Sequence, residues 1–126
     1  MLNDMSFIEA YESTDKIVKF YFTHSDEKFT TGVMVIRPQS ELPKHNRPLA
    51  VENLVQISGQ CVMRLFRDEE NFEEEVISVG DYIKIPQAQF HIHANPFDAE
   101  SVTLFRAEGD ITAVMKSLRE SFDKII

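Results

Sequence analysis

Eight short runs rich in Val, Ile, Phe and Tyr follow one another along this chain: KIVKFYFT, TTGVMVIR, ENLVQISG, CVMRLFR, EEVISV, DYIKIP, QFHIHA and SVTLFRA. Gly, Pro, Asn and Asp separate them, and these residues supply the backbone conformations that tight turns need. This succession predicts an antiparallel sandwich or barrel. The pattern changes only near the end. From Asp110 onward the apolar positions are Ile111, Val114, Met115, Leu118, Phe122 and Ile125, which is helical spacing behind an Asp N-cap that follows Gly109. One amphipathic C-terminal helix over about 110–124 is expected, packed on the outside of the sheets. Its polar face mixes both signs of charge and lacks the basic stripe of a membrane-surface helix. The leading MSFIEAYEST reads equally as a short helix or a first strand.

At 126 residues the chain is expected to be one domain, 1–126, with the barrel over about 15–108 and room for a core without staples. A net charge of −8 and a pI near 4.9 oppose a phosphate backbone, so nucleic acid is not an expected partner. No apolar run approaches membrane-spanning length. The opening MLNDMSFIEAYESTDK carries acids instead of a basic patch and an apolar stretch, so no targeting segment is read there and a cytoplasmic location is expected. The single Cys61, in GQCVMRLF, has no partner for a disulfide and reads as a small core residue. An electropositive setting that would activate it as a nucleophile is lacking. The acidic run RDEENFEEE lacks the Gly and the ligand spacing of a calcium loop, and reads as a solvated hairpin end.

Strand geometry brings specific polar residues together. Residues two apart on a strand share a face, so His45 and Arg47 point the same way, as do Gln89, His91 and His93, and as do Glu52, Leu54 and Gln56. From CVMRLF, turning Cys61, Met63 and Leu65 inward avoids burying Arg64. A small barrel arranged this way encloses a pocket with polar members His45, Arg47, Glu52, Gln56, Gln89, His91 and His93 among aliphatic walls, the usual make-up of a small-molecule site. His24 sits beside turn residues and reads as a surface histidine, and Asn95 before Pro96 reads as a turn.

The spacing of these residues resembles the two motifs of the cupin superfamily. The first motif reads His45, any residue, Arg47, four residues, Glu52, six residues, Gly59. The second reads Gly80, five residues, Pro86, four residues, His91, three residues, Asn95. Twenty residues, Gln60 to Val79, separate the two. Three positions depart from the pattern: Arg47 replaces the second histidine, Gln39 stands where a leading Gly is customary, and Ala88 stands where an inner Gly is usual. The resemblance implies an all-β, double-stranded β-helix (jelly-roll barrel), and a homodimer.

The resemblance also implies a divalent metal, Fe, Mn, Ni or Zn, held by His45, Glu52 and His91. Two His and one carboxylate suffice for an open site. Arg47 opposes this, since a guanidinium about 5 Å from a divalent ion repels it by about 6 to 7 kcal/mol at an effective dielectric near 20. Three arrangements relieve the conflict: Arg47 turns outward, pairs with an anionic ligand that also touches the metal, or forks onto Glu52 and replaces the metal. His93 either supplies the missing nitrogen or lines the pocket. With Arg47, Gln56, Met63 and Gln89 it completes the expected ligand-binding set. Two function classes follow. One is a cupin that binds a small anionic, carboxylate-bearing metabolite, with metal-dependent catalysis as an option. The other is a non-catalytic, metal-free dimeric cupin that senses a ligand or mediates interactions.

Overall fold

The computed structural model describes residues 7–126. The first six residues, part of the stretch read above for a targeting segment, lie outside it. The described chain runs β1 (Glu9–Glu12), β2 (Val18–Ser25), β3 (Phe29–Ile36), β4 (Ser40–Glu41), β5 (Ala50–Ser58), β6 (Cys61–Phe66), β7 (Phe72–Ile77), β8 (Tyr82–Ile85), β9 (His91–Asn95), β10 (Ser101–Gly109), α1 (Thr112–Ser121) and β11 (Asp123–Lys124). Two antiparallel sheets result, a seven-stranded one ordered β11-β1-β2-β3-β10-β5-β8 and a four-stranded one ordered β4-β9-β6-β7. Together they form the jelly-roll barrel that the strand pattern and the two motifs predict.

Period-two alternation decides which side chains face inward. In β5, Ala50, Glu52, Leu54 and Gln56 are buried while their neighbours are half-exposed. In β6, Cys61 and Met63 are buried, and Arg64 turns out to pair with Glu74 at 3.0 Å and Glu41 at 3.4 Å. In β9, His91 and His93 are buried on either side of the half-buried Ile92. Phe105 of β10 packs against all three apolar clusters of the core and meets Phe20 and Phe22 edge-on at 6.2 and 5.9 Å. Its ring lies over Gly32, where a Cβ would come within 2.9 Å of the ring and 2.3 Å of the Tyr21 carbonyl oxygen.

At the chain's two ends, the N-terminal reading left open is decided and the C-terminal helix departs from its expected bounds. The N-terminal segment is a strand, β1, paired with β2. The helix stops at Ser121, because Phe122 turns extended (φ −97°, ψ 157°) to stack on Phe20 at 6.2 Å, and Asp123–Lys124 then pair with Tyr11 and Glu12. Asp110 caps the helix from one position further out than predicted: its Oδ1 accepts the Thr112 N–H at 3.0 Å, with Ile111 at the N-cap. The helix also does not lie outside the sheets. Ile111, Val114, Met115 and Leu118 face the inner-surface residues Phe20, Phe22, Phe105 and Ala107, so α1 covers the open side of the barrel. Arg119 fastens it there with a bidentate pair to Glu9 at 2.7 and 2.8 Å.

The remaining expectations fall where the residues dictate. Cys61 is buried in the core, and burial raises its thiol to about 11, so it stays protonated and inert. The acidic run forms the exposed β6–β7 hairpin end, whose turn is held by Asp68 accepting the Glu70 and Asn71 N–H groups. His24 pairs at the surface with Asp26 at 2.8 Å. Asn95 is more than a turn residue. It is buried at the end of β9, and its Nδ2 donates to the carbonyls of Ile36, Arg37 and Ala99 while Oδ1 accepts the Phe97 N–H.

The two motif positions that lack glycine carry backbone strain. Gln39 (φ +57°) and Ala88 (φ +68°) occupy the left-handed region, as does Gly59 (φ +65°) of the first motif. A side chain there costs about 1 to 2 kcal/mol, against about 0.5 to 1 kcal/mol for the extra unfolded-state freedom of glycine. Ala88→Gly should therefore raise stability by about 0.5 to 1 kcal/mol, read as a higher urea midpoint. A lower midpoint would show that the Ala88 methyl packs favourably enough to offset the strain.

Candidate metal centre

A bulge brings the first histidine to the site. The Leu42 N–H donates to the His93 carbonyl and the His45 N–H to the His91 carbonyl, so three residues on one strand oppose two on the other. Pro43, with no N–H to offer, sits in the bulge. His45 and His91 then exchange both backbone hydrogen bonds, at 3.0 and 2.8 Å, which sets their rings 4.3 Å apart. His93, two residues along β9, lies 5.0 Å from His91 and 5.5 Å from His45 by ring centroid. One nitrogen from each ring falls within 4.8 Å of the other two. Glu52 faces them from the other sheet, its Oε2 3.7 Å from His91 Nε2 and 3.9 Å from His93 Nε2.

Hydrogen bonds fix the ring states. His45 Nδ1–H donates to the Pro43 carbonyl and His91 Nδ1–H to the Gln89 carbonyl, both at 2.9 Å and both two residues back. Each ring thus turns an Nε2 lone pair toward the cluster, as a metal-ligating histidine does when its other nitrogen is held by a backbone oxygen. Burial lowers the pKa of all three rings. His45 falls to about 4, with Arg47 and His91 adding to the effect of burial. His91 is lowered by burial against the upward pull of Glu52. His93 lies well below the ordinary value through burial, then the neighbouring His91, His45 and Arg47. Neutral imidazole is the ligating form. His91 Nε2 and His93 Nδ1 are buried without a hydrogen-bond partner among the described residues. Two such nitrogens, a third ring with a fixed tautomer and a facing carboxylate fit a divalent cation.

Arg47 approaches Glu52 through one nitrogen, without the fork of the third arrangement. Its Nε lies 3.5 Å from Glu52 Oε1, and Nη1 donates to the Asn46 carbonyl at 3.2 Å. The pairing takes one carboxylate oxygen and leaves the other toward the histidines. Arg47 reaches the site from a turn, because residues 46–49 are not strand as the sequence reading assumed. The Ala88 N–H donates to the Arg47 carbonyl at 3.0 Å, so the strained second-motif turn holds the first motif's arginine.

His45, Arg47, Glu52 and His93 line one cavity of about 70 Å³, with His91 behind them. The other expected ligand-binding residues lie elsewhere. The Gln56 amide is taken up by Ser58, Ser101 and Thr103. Met63 packs with Leu54, Cys61, Ile77 and Ile83 in space with no room for water. Gln89 contributes its carbonyl, while its side chain donates to the Phe66 carbonyl at 3.4 Å. The sequence reading missed Phe20, Leu42, Phe105, Val114 and Leu118 as cavity walls. Their apolar character was visible, but nothing local says which surface a helix will cover.

The depressed histidines make stability depend on pH. Their unfolded forms take up protons near pH 6.5 that the folded rings refuse, so stability is full above that value and falls as pH drops, down to about 4 for His45. In metal-free protein the urea midpoint should decline steadily from pH 7 to 5, each such ring contributing up to about 1.4 kcal/mol per pH unit. A midpoint constant over that range would mean that the folded rings protonate normally.

No family model matches the chain, and neither does any curated protein. Solved structures do. A recombinant oxalate oxidase in complex with glycolate superposes with a TM-score of 0.60 at 16% identity, over 65% of this chain and 42% of that one. The Drosophila melanogaster CENP-C bound to CAL1 gives 0.68 at 21% identity, over 83% and 81%. A mutant Bacillus subtilis oxalate decarboxylase gives 0.69 at 23% identity, over 86% and 29%. The chain thus spans less than half the length of the two oxalate proteins. Further neighbours include a Schizosaccharomyces pombe Cnp3 cupin domain, with a TM-score of 0.66 at 12% identity over 79% and 66%. The likeness agrees with the two antiparallel sheets, and the chain has the cupin fold.

Proposed function

We propose that the protein binds a divalent metal ion and, beside it, a small molecule bearing a carboxylate. The observation that carries this reading is the convergence of three neutral imidazoles on one carboxylate, with two buried ring nitrogens left unpartnered. Leaving a buried polar atom unsatisfied costs about 1 to 3 kcal/mol, a cost that an ion ligated at His91 Nε2, the orphaned nitrogen that faces Glu52, removes. His45, His91 and His93 with Glu52 would hold the ion, so His93 fills the place that Arg47 vacates in the first motif. The repulsion from Arg47 is offset because Glu52 already neutralises it at 3.5 Å.

When bound, an Fe, Mn, Ni or Zn ion supplies a Lewis acid with open coordination positions. The chain's own groups do the rest. Arg47 receives and orients the carboxylate, the backbone carbonyls of Pro43 and Gln89 hold the His45 and His91 tautomers, and the apolar walls exclude water. The oxalate oxidase neighbour, found in complex with glycolate, supports a carboxylate ligand. Homodimer formation belongs to this reading as well, since the edge strands β7 and β8 leave Phe72, Val76 and Tyr82 exposed. So does a cytoplasmic setting.

One observation favours a second reading, a metal-free interaction module: Arg47 already pairs with Glu52, and a CENP-C cupin domain bound to CAL1 shares the fold over most of both chains. Elemental analysis of protein purified without chelator separates the two. About one divalent ion per chain is expected, with loss of metal in His91→Ala and His93→Ala and a melting temperature that rises on metal addition. At a hundredfold excess over Kd that rise corresponds to about 2.7 kcal/mol. Retention of full metal content by both variants would remove the histidine cluster as its binding site.

A further inference from the structure

We infer that the carboxylate ligand is an amphiphilic monocarboxylate, an aryl- or medium-chain alkyl-carboxylic acid whose apolar tail lies beneath α1. Compact dicarboxylates and polyols do not fit. The inference rests on the carboxylate reading above and adds the rest of the molecule. The polar groups of the cavity sit on one side, at His45, Arg47, Glu52 and His93, while every other lining residue is apolar. The cavity opens into a cleft of about 610 Å³ between α1 and the β2 side of the barrel. Phe20, Leu42, His45, Arg47, Val114 and Leu118 line both, so the guanidinium stands at the neck with apolar surface on either side.

Charge fixes the head group and limits it to one. Arg47 Nε stands 3.5 Å from Glu52 Oε1 and offsets its charge, so a divalent ion leaves positive charge that an anion balances. Arg47 Nη2 has no partner among the described residues and is free to donate to that anion. Further out, the other charged residues lining the cleft are Asp15 and Glu41, both acidic, which repel a second carboxylate. In the inner cavity hydroxyl groups on a polyol would meet Phe, Leu and Met side chains and lose their water without replacement, whereas the hydroxyls of Ser13, Thr14, Ser117 and Ser121 line only the outer cleft. A methylene placed in the inner cavity is favoured instead, because burial takes its apolar surface out of water.

Calorimetric titration of the metal-loaded protein with 3-phenylpropanoate, octanoate, succinate and oxalate tests this. The first two should bind at least about tenfold more tightly than the last two, the equivalent of roughly two buried methylenes. Val114→Trp and, as a second variant, Leu118→Trp fill the neck from the helix, and should abolish binding of 3-phenylpropanoate with metal content and melting temperature retained. Arg47→Gln should weaken 3-phenylpropanoate but not 3-phenylpropanol. Succinate or oxalate binding as tightly as the amphiphiles, or undiminished affinity in a folded tryptophan variant, overturns the inference. The two readings fail separately. Metal without amphiphile binding defeats only this inference, whereas Arg47-dependent amphiphile binding without metal defeats only the metal assignment.

Discussion

His45 and His91 exchange both of their backbone hydrogen bonds across the two strands that carry the motifs, and the site follows from that bridge. Two residues paired in this way must project their side chains to the same face. The alternation of β9 then adds His93 to that face, and the alternation of β5 in the opposite sheet presents Glu52 to it. The same short segments supply the carbonyls, Pro43 and Gln89, that orient the rings. Position and tautomer therefore come from one set of backbone contacts, and the cluster is organised without long polar networks.

The arginine sets a fixed positive charge beside this cluster of imidazoles. That charge lowers the proton affinity of all three rings, second to burial at His45, and its guanidinium stands 3.5 Å from one oxygen of Glu52. The other oxygen remains turned to the rings. The guanidinium lines a space shared with His45, Glu52 and His93, whose other walls are hydrocarbon. The backbone around it is held under strain: Ala88 at positive φ donates to the Arg47 carbonyl, and Asn46 returns a bond to the Ala88 carbonyl at 3.2 Å. A turn of this kind, kept despite its cost, fixes where the guanidinium sits.

The helix shows how an element that looks peripheral becomes part of the cavity. Its apolar stripe covers the inner surface of the large sheet, Arg119 ties it to Glu9, and the extended Phe122 leads into a strand that pairs with β1. The N-terminal and C-terminal segments thereby stabilise one another, and together they decide the shape of the space beside the histidine cluster.

The sequence alone determined an antiparallel sandwich or barrel, because period-two alternation and turn chemistry are local properties that each strand carries by itself, and the resemblance of the two motifs narrowed this to the jelly-roll barrel. It also determined that His45, Glu52 and His91 would share an interior, since motif spacing and strand parity are countable along the chain. Gln56 and Met63 were read correctly as facing inward, yet facing inward is not the same as facing the cavity, and only the packing of Ser101, Thr103 and Ile83 around them made that distinction. Tertiary structure alone settled which oxygen of Glu52 Arg47 would take, that His93 would join the cluster, and that α1 would cover the open side of the barrel. These depend on contacts between segments far apart in the chain, where distance and angle in space, not spacing in sequence, set the energy.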